Sequence, residues 1–283
     1  MKSSEKHEVG DKDLRMFIDT VKNLSDYDFS DYSDKSLKRR LSKILLDSNL
    51  TISSLLEKIS NNQDFLEEIV KSITVNTTEL FRDPPIWDTM RQDILPHYKD
   101  KSEILIWHAG CSTGQEVYSM LILLYEMDLF QKSKVYATDI NSDVLTYASE
   151  GIYKYKFNVN YLDNFDKVIR QDTNGELIDV PYSKYFSIEK TRDLLRMHQF
   201  LLEKPVYKKQ DLVSDPNPFP VAYDIIICRN VVIYFNYELQ NKVFKLFYDA
   251  MKPGGSLLLG VHETILGPVS NFFIKKSQVY YKK

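Results

Sequence analysis

The residues Trp107-His108-Ala109-Gly110-Cys111-Ser112-Thr113-Gly114-Gln115-Glu116 constrain this chain more than any others. They follow a short apolar run, Ile104-Leu105-Ile106, and open a segment with helical periodicity. A strand, a tight glycine loop and a helix in that order form the entry turn of a doubly wound α/β domain. Backbone there can approach a nucleoside cofactor, because glycine has no Cβ. Val135-Tyr136-Ala137-Thr138-Asp139 then reads as a second strand ending in a carboxylate, able to accept both hydroxyl hydrogens of a ribose. The offset from the glycines to Asp139 exceeds the usual value of about 20, and the intervening helix and loop account for the difference. A nicotinamide dinucleotide would be held by a similar pair, so Asp139 alone does not choose the cofactor. A helix N-cap is the other reading of this residue.

Ahead of this loop the chain reads as all-helical. Leu14, Phe17, Ile18 and Val21 recur at helical spacing, as do Leu37, Leu41, Ile44 and Leu45, then Ile52, Leu55, Leu56 and Ile59, then Phe65, Leu66, Ile69, Val70 and Ile73. They predict a small helical domain over residues 1–75, with Thr51 capping its third helix. Asp83-Pro84 reads as an N-cap followed by proline at the first helical position. Residues 76–283 alternate strands and helices. Asp224 to Cys228 is an apolar run suited to a central parallel strand. A helix over Leu239 to Met251 stops at Pro253-Gly254-Gly255. Ser256 to Leu259, Phe272 to Ile274 and Val279 to Tyr281 follow as strands. This alternation predicts a mostly parallel sheet with helices on both faces. The segment 154–209 mixes aromatic and charged residues and is expected to form an inserted subdomain, a helix followed by short strands.

Composition excludes several classes. A net charge of -3 gives no overall pull toward nucleic acid. Two cysteines, Cys111 and Cys228, are no disulfide framework, and no zinc spacing surrounds them, so no metal is expected. The polar N-terminus and the lack of any long apolar run point to a cytoplasmic protein without membrane insertion.

Four motifs occur in order: Asn76-Thr77-Thr78-Glu79-Leu80-Phe81-Arg82, Gly110 to Ser119, Ala137-Thr138-Asp139-Ile140, and Cys228-Arg229-Asn230-Val231-Val232-Ile233-Tyr234-Phe235. On these residues the chain resembles the CheR-type chemotaxis protein-glutamate methyltransferases, over nearly its whole length. The resemblance implies a class I methyltransferase fold, α/β with a Rossmann-like doubly wound sheet, behind a small all-helical N-terminal domain. It implies S-adenosyl-L-methionine as cofactor, leaving S-adenosyl-L-homocysteine. It implies methyl esters formed on glutamates in the cytoplasmic domain of methyl-accepting chemotaxis receptors, for sensory adaptation. Carried over by position, the cofactor-binding residues would be Asn76, Thr78, Arg82, Gly110, Glu116, Asp139, Asp211, Leu212, Arg229 and Asn230. Arg82 and Tyr234 would stand at the methyl-transfer site.

Each of these residues also has a plainer reading. The Gly110 to Gly114 loop could be an ordinary strand-to-helix turn, and Glu116 a carboxylate at the positive end of a helix. Asp211 stands where the family usually has asparagine; it can accept from an adenine amino group but cannot donate, and a simple loop acid fits as well. Arg82 could be a surface ion pair, Tyr234 a core residue, and Asn230 a turn cap. Gly260-Val261-His262-Glu263 resembles the family's Gly-His-Ser-Glu with an extra spacer, and His262 is a partly exposed histidine as readily as a site residue. Lys35, Lys38, Arg39, Arg40 and Lys43 lie opposite the apolar stripe of the second helix. They form either a docking face for an acidic receptor helix or a solvated face. Two rival functions remain: a methyltransferase with another acceptor, and a non-catalytic signalling module that keeps the cofactor.

Overall fold

The computed structural model describes residues 9–74, 78–171 and 176–283, leaving aside the side chains of 157–161. It divides into two compact units, Met1–Val75 with Val232–Lys242, and Asn76–Val231 with Val243–Lys283. Among the described residues no helix is long and apolar enough to cross a membrane.

The first unit is built on helices α1 (Asp11–Leu24), α2 (Asp34–Ser48), α3 (Ile52–Asn61) and α4 (Gln63–Ile73). Each buries residues three or four apart, such as Leu14, Phe17, Ile18 and Val21 on α1 and Leu37, Leu41, Ile44 and Leu45 on α2. Thr51 caps α3, its Oγ1 accepting from the Ser54 N–H at 3.3 Å. Asn62 ends α3 and caps α4, accepting from the Phe65 N–H at 3.0 Å. The segment 232–242 belongs with these helices. The Asn236 N–H donates to the Asp31 carbonyl at 2.8 Å, and the Ser33 N–H to the Tyr234 carbonyl at 2.8 Å. The Tyr32 ring meets Phe235 edge-on at 5.1 Å.

The second unit carries, in chain order, α5 (Pro84–Thr89), β1 (Ile104–Ala109), α6 (Gln115–Glu126), β2 (Ser133–Asp139), α7 (Ser142–Glu150), β3 (Ile152–Lys154), α8 (Tyr155–Ile169), β4 (Phe186–Glu189), β5 (Leu194–Met197), α9 (Gln199–Leu202), β6 (Pro205–Lys209) and β7 (Tyr223–Cys228). Helix α10 (Tyr237–Ala250) begins in the first unit and ends in the second, followed there by β8 (Met251–Leu259), β9 (Phe273–Lys276) and β10 (Val279–Lys282). The main sheet runs β6-β2-β1-β7-β8-β10-β9. Strands β6, β2, β1, β7 and β8 pair in parallel, and β10 is antiparallel to both of its neighbours. Every residue of β1 and β7 is buried, as central parallel strands covered on two faces require. Ile104 and Ile106 join a core shared with α5, α6 and α8. Trp107, pointing to the other face, meets Phe247 of α10 at 5.3 Å.

Two boundaries differ from the sequence reading. The inserted structure is a small antiparallel sheet, β3-β5-β4, which starts at Ile152, whereas Pro205–Lys209 is not part of it: it is β6, the parallel edge of the main sheet. That strand opens with proline, carries two lysines and leaves Val206 half exposed. Edge strands favour those residues, which mask an apolar pattern. Strand β8 starts at Met251 and runs through the Pro-Gly-Gly sequence, with a register irregularity between Tyr223 and Ile225 of β7 absorbing it.

Candidate functional site

Strands β1, β2 and β7 lie side by side and parallel, so the chain leaving each one turns over the same carboxyl edge of the sheet. After β1, Gly110 has φ +78° and Gly114 φ +89°. A Cβ on Gly110 would sit 2.4 Å from Val231 Cγ2, and one on Gly114 2.8 Å from Ala148 Cβ, so neither position admits a side chain. The Gly110 and Cys111 N–H groups both donate to the Thr138 carbonyl, at 2.8 and 2.9 Å, which ties the loop to the end of β2. Gly114 opens α6.

Asp139 closes β2 and is buried. Its Oδ2 accepts from the Ser112 N–H at 2.8 Å and its Oδ1 from the Asn141 N–H at 3.0 Å. The capping residue of α7 is Asn141, not Asp139. A carboxylate offers about four lone-pair sites, so each oxygen can take a further donor. Burial pushes the Asp139 carboxyl above its ordinary range, and the N–H groups of Asn141, Ser112 and Ile140 only partly oppose it.

Glu116, in the first turn of α6, is displaced the other way. Burial raises it, but the hydrogen bond from His108 and the Arg229 guanidinium outweigh burial and hold the carboxyl below its usual value. Arg229 Nη1 donates to Glu116 Oε2 at 2.9 Å, and His108 Nδ1 lies 3.1 Å from Oε1. His108 is fully buried, with no partner for Nε2 among the described residues. Sequence reasoning passed over it, although a histidine inside an otherwise apolar central strand was the available signal.

Arg229 leaves β7 with its side chain 1% exposed. Its Nη2 donates to Asp83 Oδ2 at 2.7 Å and to the Arg82 carbonyl at 2.9 Å. That carbonyl also accepts from Trp87 Nε1 at 3.0 Å, and the neighbouring Phe81 N–H donates to Ser119 Oγ at 2.7 Å. The Arg82 backbone is therefore held on both sides, while the residue itself is partly exposed. Asp83 precedes α5 but does not cap it with its side chain. The first two helical residues are Pro84 and Pro85, which have no N–H to satisfy, so the carboxylate is free for Arg229.

Asn230 follows with φ +60°, its N–H donating to Glu263 Oε2 at 2.8 Å. Glu263 also accepts from the Val231 N–H at 2.9 Å and the Gly260 N–H at 2.7 Å. In the Gly-Val-His-Glu sequence Gly260 and Glu263 are thus the buried residues, and His262 is exposed. Of the eight described non-glycine residues with left-handed φ, Phe81, Asp83, Ser112 and Asn230 all fall in these turns. Such backbone costs roughly 1–3 kcal/mol each and persists where surroundings over-determine it.

Other residues from the sequence reading sit as follows. Asp211, after β6, folds its carboxylate onto its own turn: Oδ1 accepts from the Val213 N–H at 2.8 Å. Leu212 is buried and Thr78 partly exposed. Asn76 lies outside the described residues. Tyr234 belongs to the first unit, partly exposed, with the Arg40 guanidinium 5.4 Å from its ring centre. On α2, Lys35, Arg39 and Lys43 form an exposed stripe at four-residue spacing, while Lys38 pairs with Asp11. Among the described residues no cluster of His, Cys, Asp and Glu is placed to hold a metal.

Comparison with known proteins agrees with this architecture. Residues 76–281 match the family model "CheR methyltransferase, SAM binding domain", and residues 12–74 match "CheR methyltransferase, all-alpha domain". The chemotaxis protein methyltransferase of Borreliella burgdorferi is 34% identical over 75% of this chain and 72% of its own. Cher3 of Pseudomonas putida, a methyltransferase by its name, is 32% identical over 90% of this chain and 89% of its own. The chemotaxis protein methyltransferase of Listeria innocua is 26% identical over 94% of this chain and 98% of its own. Because both family models are matched over nearly all of the chain, it belongs to the CheR methyltransferase family and is an S-adenosylmethionine-dependent methyltransferase.

Proposed function

We propose that this enzyme methylates glutamate side-chain carboxylates of a chemoreceptor, giving methyl esters for sensory adaptation. The observation that carries this reading is the fixed backbone of Arg82. Its carbonyl is clamped by Arg229 and Trp87, and the same Arg229 holds Glu116 in the first turn of α6. A guanidinium presented there can hold a carboxylate by two parallel hydrogen bonds.

The strand ends fit S-adenosylmethionine. Asp139 offers paired acceptors to a ribose diol, and the Gly110 to Gly114 loop leaves room for close approach. Glu116, kept ionised by Arg229 and His108, suits the methionine amino group. Thr78, Asp211, Leu212, Arg229 and Asn230, with Asn76, complete the proposed binding set, within a methyltransferase domain assigned to 76–283. When bound, the cofactor supplies a methyl group on a positively charged sulfur. A substrate glutamate titrates near 4.3 and is ionised at neutral pH, so no general base is required. The chain's task is alignment: Arg82 orients the carboxylate, and Tyr234 is the second residue proposed for methyl transfer. With the cofactor bound, the carboxylate oxygen would take the methyl carbon as the methyl–sulfur bond breaks, leaving neutral S-adenosylhomocysteine, and a dry site would favour that cancelling of charge. The exposed Lys35, Arg39 and Lys43 stripe is the proposed contact for an acidic receptor helix.

The test is incubation with methyl-labelled S-adenosylmethionine and membranes from a strain lacking this gene, followed by mild alkali. Labelled methanol released from a receptor-sized band is expected, and Arg82→Ala should abolish it while cofactor binding weakens or survives. Alkali-stable label would instead assign a different acceptor, and absence of label with cofactor bound would favour a non-catalytic module.

A further inference from the structure

The loop over Gly110 to Gly114 is anchored from two directions. Three of its ties come from the end of β2: the Thr138 carbonyl takes the Gly110 and Cys111 N–H groups, and Asp139 takes that of Ser112. The fourth comes from elsewhere in the unit. The Tyr153 hydroxyl, on β3 of the inserted sheet, donates to the Thr113 carbonyl at 2.7 Å. We infer that Tyr153 is a positioning residue that fixes the cofactor-facing loop, so that the inserted sheet contributes to cofactor affinity.

The reason lies in which peptide the hydroxyl holds. The Thr113 carbonyl belongs to the Thr113–Gly114 peptide. Rotating that peptide changes the φ of residue 114, and glycine accepts either sign of φ at little cost. Gly114 already stands at φ +89°. This is therefore the peptide of the loop most readily flipped, and it is the one that opens α6 two residues before Glu116. The Gly114 N–H is tied only within the loop, to the Cys111 carbonyl at 3.1 Å. On the carbonyl side, Tyr153 supplies the restraint.

Tyr153 is itself rigidly placed. It pairs with Leu195 of β5, is buried, and meets Tyr118 edge-on at 6.3 Å. Burial keeps its hydroxyl well above the usual phenol range, so it remains a donor. The turn into β3 is equally fixed: the Met197 N–H donates to the Gly151 carbonyl at 2.9 Å, and a Cβ on Gly151 would lie 2.5 Å from Leu202. Displacement of β3 would thus move the donor away from the loop. Tyr118 provides the internal control. It is a second buried phenol in the same cluster, and its hydroxyl donates to the Ala148 carbonyl of α7 instead of to the loop.

The inference rests on the strand ends being the cofactor site, and three variants of the full chain separate the two. Binding of S-adenosylhomocysteine is measured by calorimetry, and KM and kcat by methyl transfer to receptor membranes, each alongside Tm. Tyr153→Phe is expected to weaken binding and raise KM about threefold to tenfold, the worth of one hydrogen bond, with kcat unchanged. Tyr118→Phe should lower Tm comparably and leave the dissociation constant within about twofold of the parent. Unchanged binding by Tyr153→Phe, where Asp139→Asn weakens it, overturns the inference alone. Equal weakening by Tyr118→Phe also overturns it, since that would be general loosening. Undiminished binding by both Asp139→Asn and Tyr153→Phe overturns the cofactor site and the inference together.

Discussion

The helices of the first unit keep their charges outside: Lys35, Arg39 and Lys43 are exposed on α2, while Leu37, Leu41, Ile44 and Leu45 are buried. At the strand ends of the second unit the ionisable groups are themselves inside, with Glu116 between Arg229 and His108, and Asp139 beneath two backbone N–H groups. The backbone differs in the same sense. Helices α3 and α4 are capped by side chains and the first unit places Asn49 in the left-handed region at the end of α2, whereas the turns at the strand ends hold four such residues, Phe81, Asp83, Ser112 and Asn230. The first region is organised by apolar burial, which tolerates change gradually. The second is organised by paired charges and strained backbone, where one missing partner leaves a costly remainder.

That contrast can be broken most directly at Arg229. Arg229→Ala leaves Glu116 and Asp83 without their guanidinium, and should cost about 3 kcal/mol in urea unfolding, toward the low end for a one-sided break because Asp83 is a third exposed. A loss below about 1 kcal/mol would mean that the network behaves like a surface pair. In the helices, Leu41→Ala, at a fully buried site, should cost about 2–5 kcal/mol by cavity formation. Its dissociation constant for S-adenosylhomocysteine, measured well below the lowered Tm, should not move. A parallel loss of affinity would erase the division of labour between the regions.

The opposed carboxyl displacements give a pH signature of intermediate size. Glu116 titrates below its ordinary 4.5, so its stabilisation is complete above that pH and is lost only as pH falls through the lower folded value. Asp139 titrates above its ordinary 3.8, so folding binds a proton in that window and its destabilising effect at neutral pH is relieved on acidification. On the proposed cofactor assignment, that same proton turns one of the two oxygens meant for the ribose diol from an acceptor into a donor. As pH is lowered, affinity for S-adenosylhomocysteine should therefore begin to fall while pH is still above 3.8, and Asp139→Asn should bind more weakly and remove the inflection; an inflection kept by this variant would assign it to another group. The smallest effect belongs to the helices: Thr51→Ala removes one cap and should cost about 1 kcal/mol in Tm or urea measurements, with no change in activity.

Much of this was legible in the sequence, for reasons that differ by region. The buried positions on α1 to α4 follow directly from helical spacing, because each helix has one apolar stripe. The glycine loop and Asp139 could be read because a strand, a turn and a polar terminus are local. What escaped was non-local. The ties from 232–242 to Asp31 and Ser33 span some two hundred residues and leave no periodic trace. His108 and Glu263 acquire their meaning only from partners on other elements. Asp83 holds the N-cap position ahead of Pro84 as its sequence reads, but its carboxylate goes to Arg229, a partner 146 residues away that no local pattern marks. Strand β6 was hidden by its lysines, the residues that keep a sheet edge from pairing with another chain.

The Glu263 carboxylate, which receives the N–H groups of Asn230, Val231 and Gly260, has a consequence for the order in which the molecule is made. A nascent chain that has passed Arg229 and Asn230 already contains nearly every residue named at the strand ends. It does not yet contain the acceptor that bends the backbone between them and the rest of the chain. Synthesis must continue for more than thirty residues, through α10 and β8, before that turn can close. A chain halted before Glu263 would thus carry the strand-end side chains without the turn that Glu263 closes, and completion of that turn is timed by its last contributor rather than by its first.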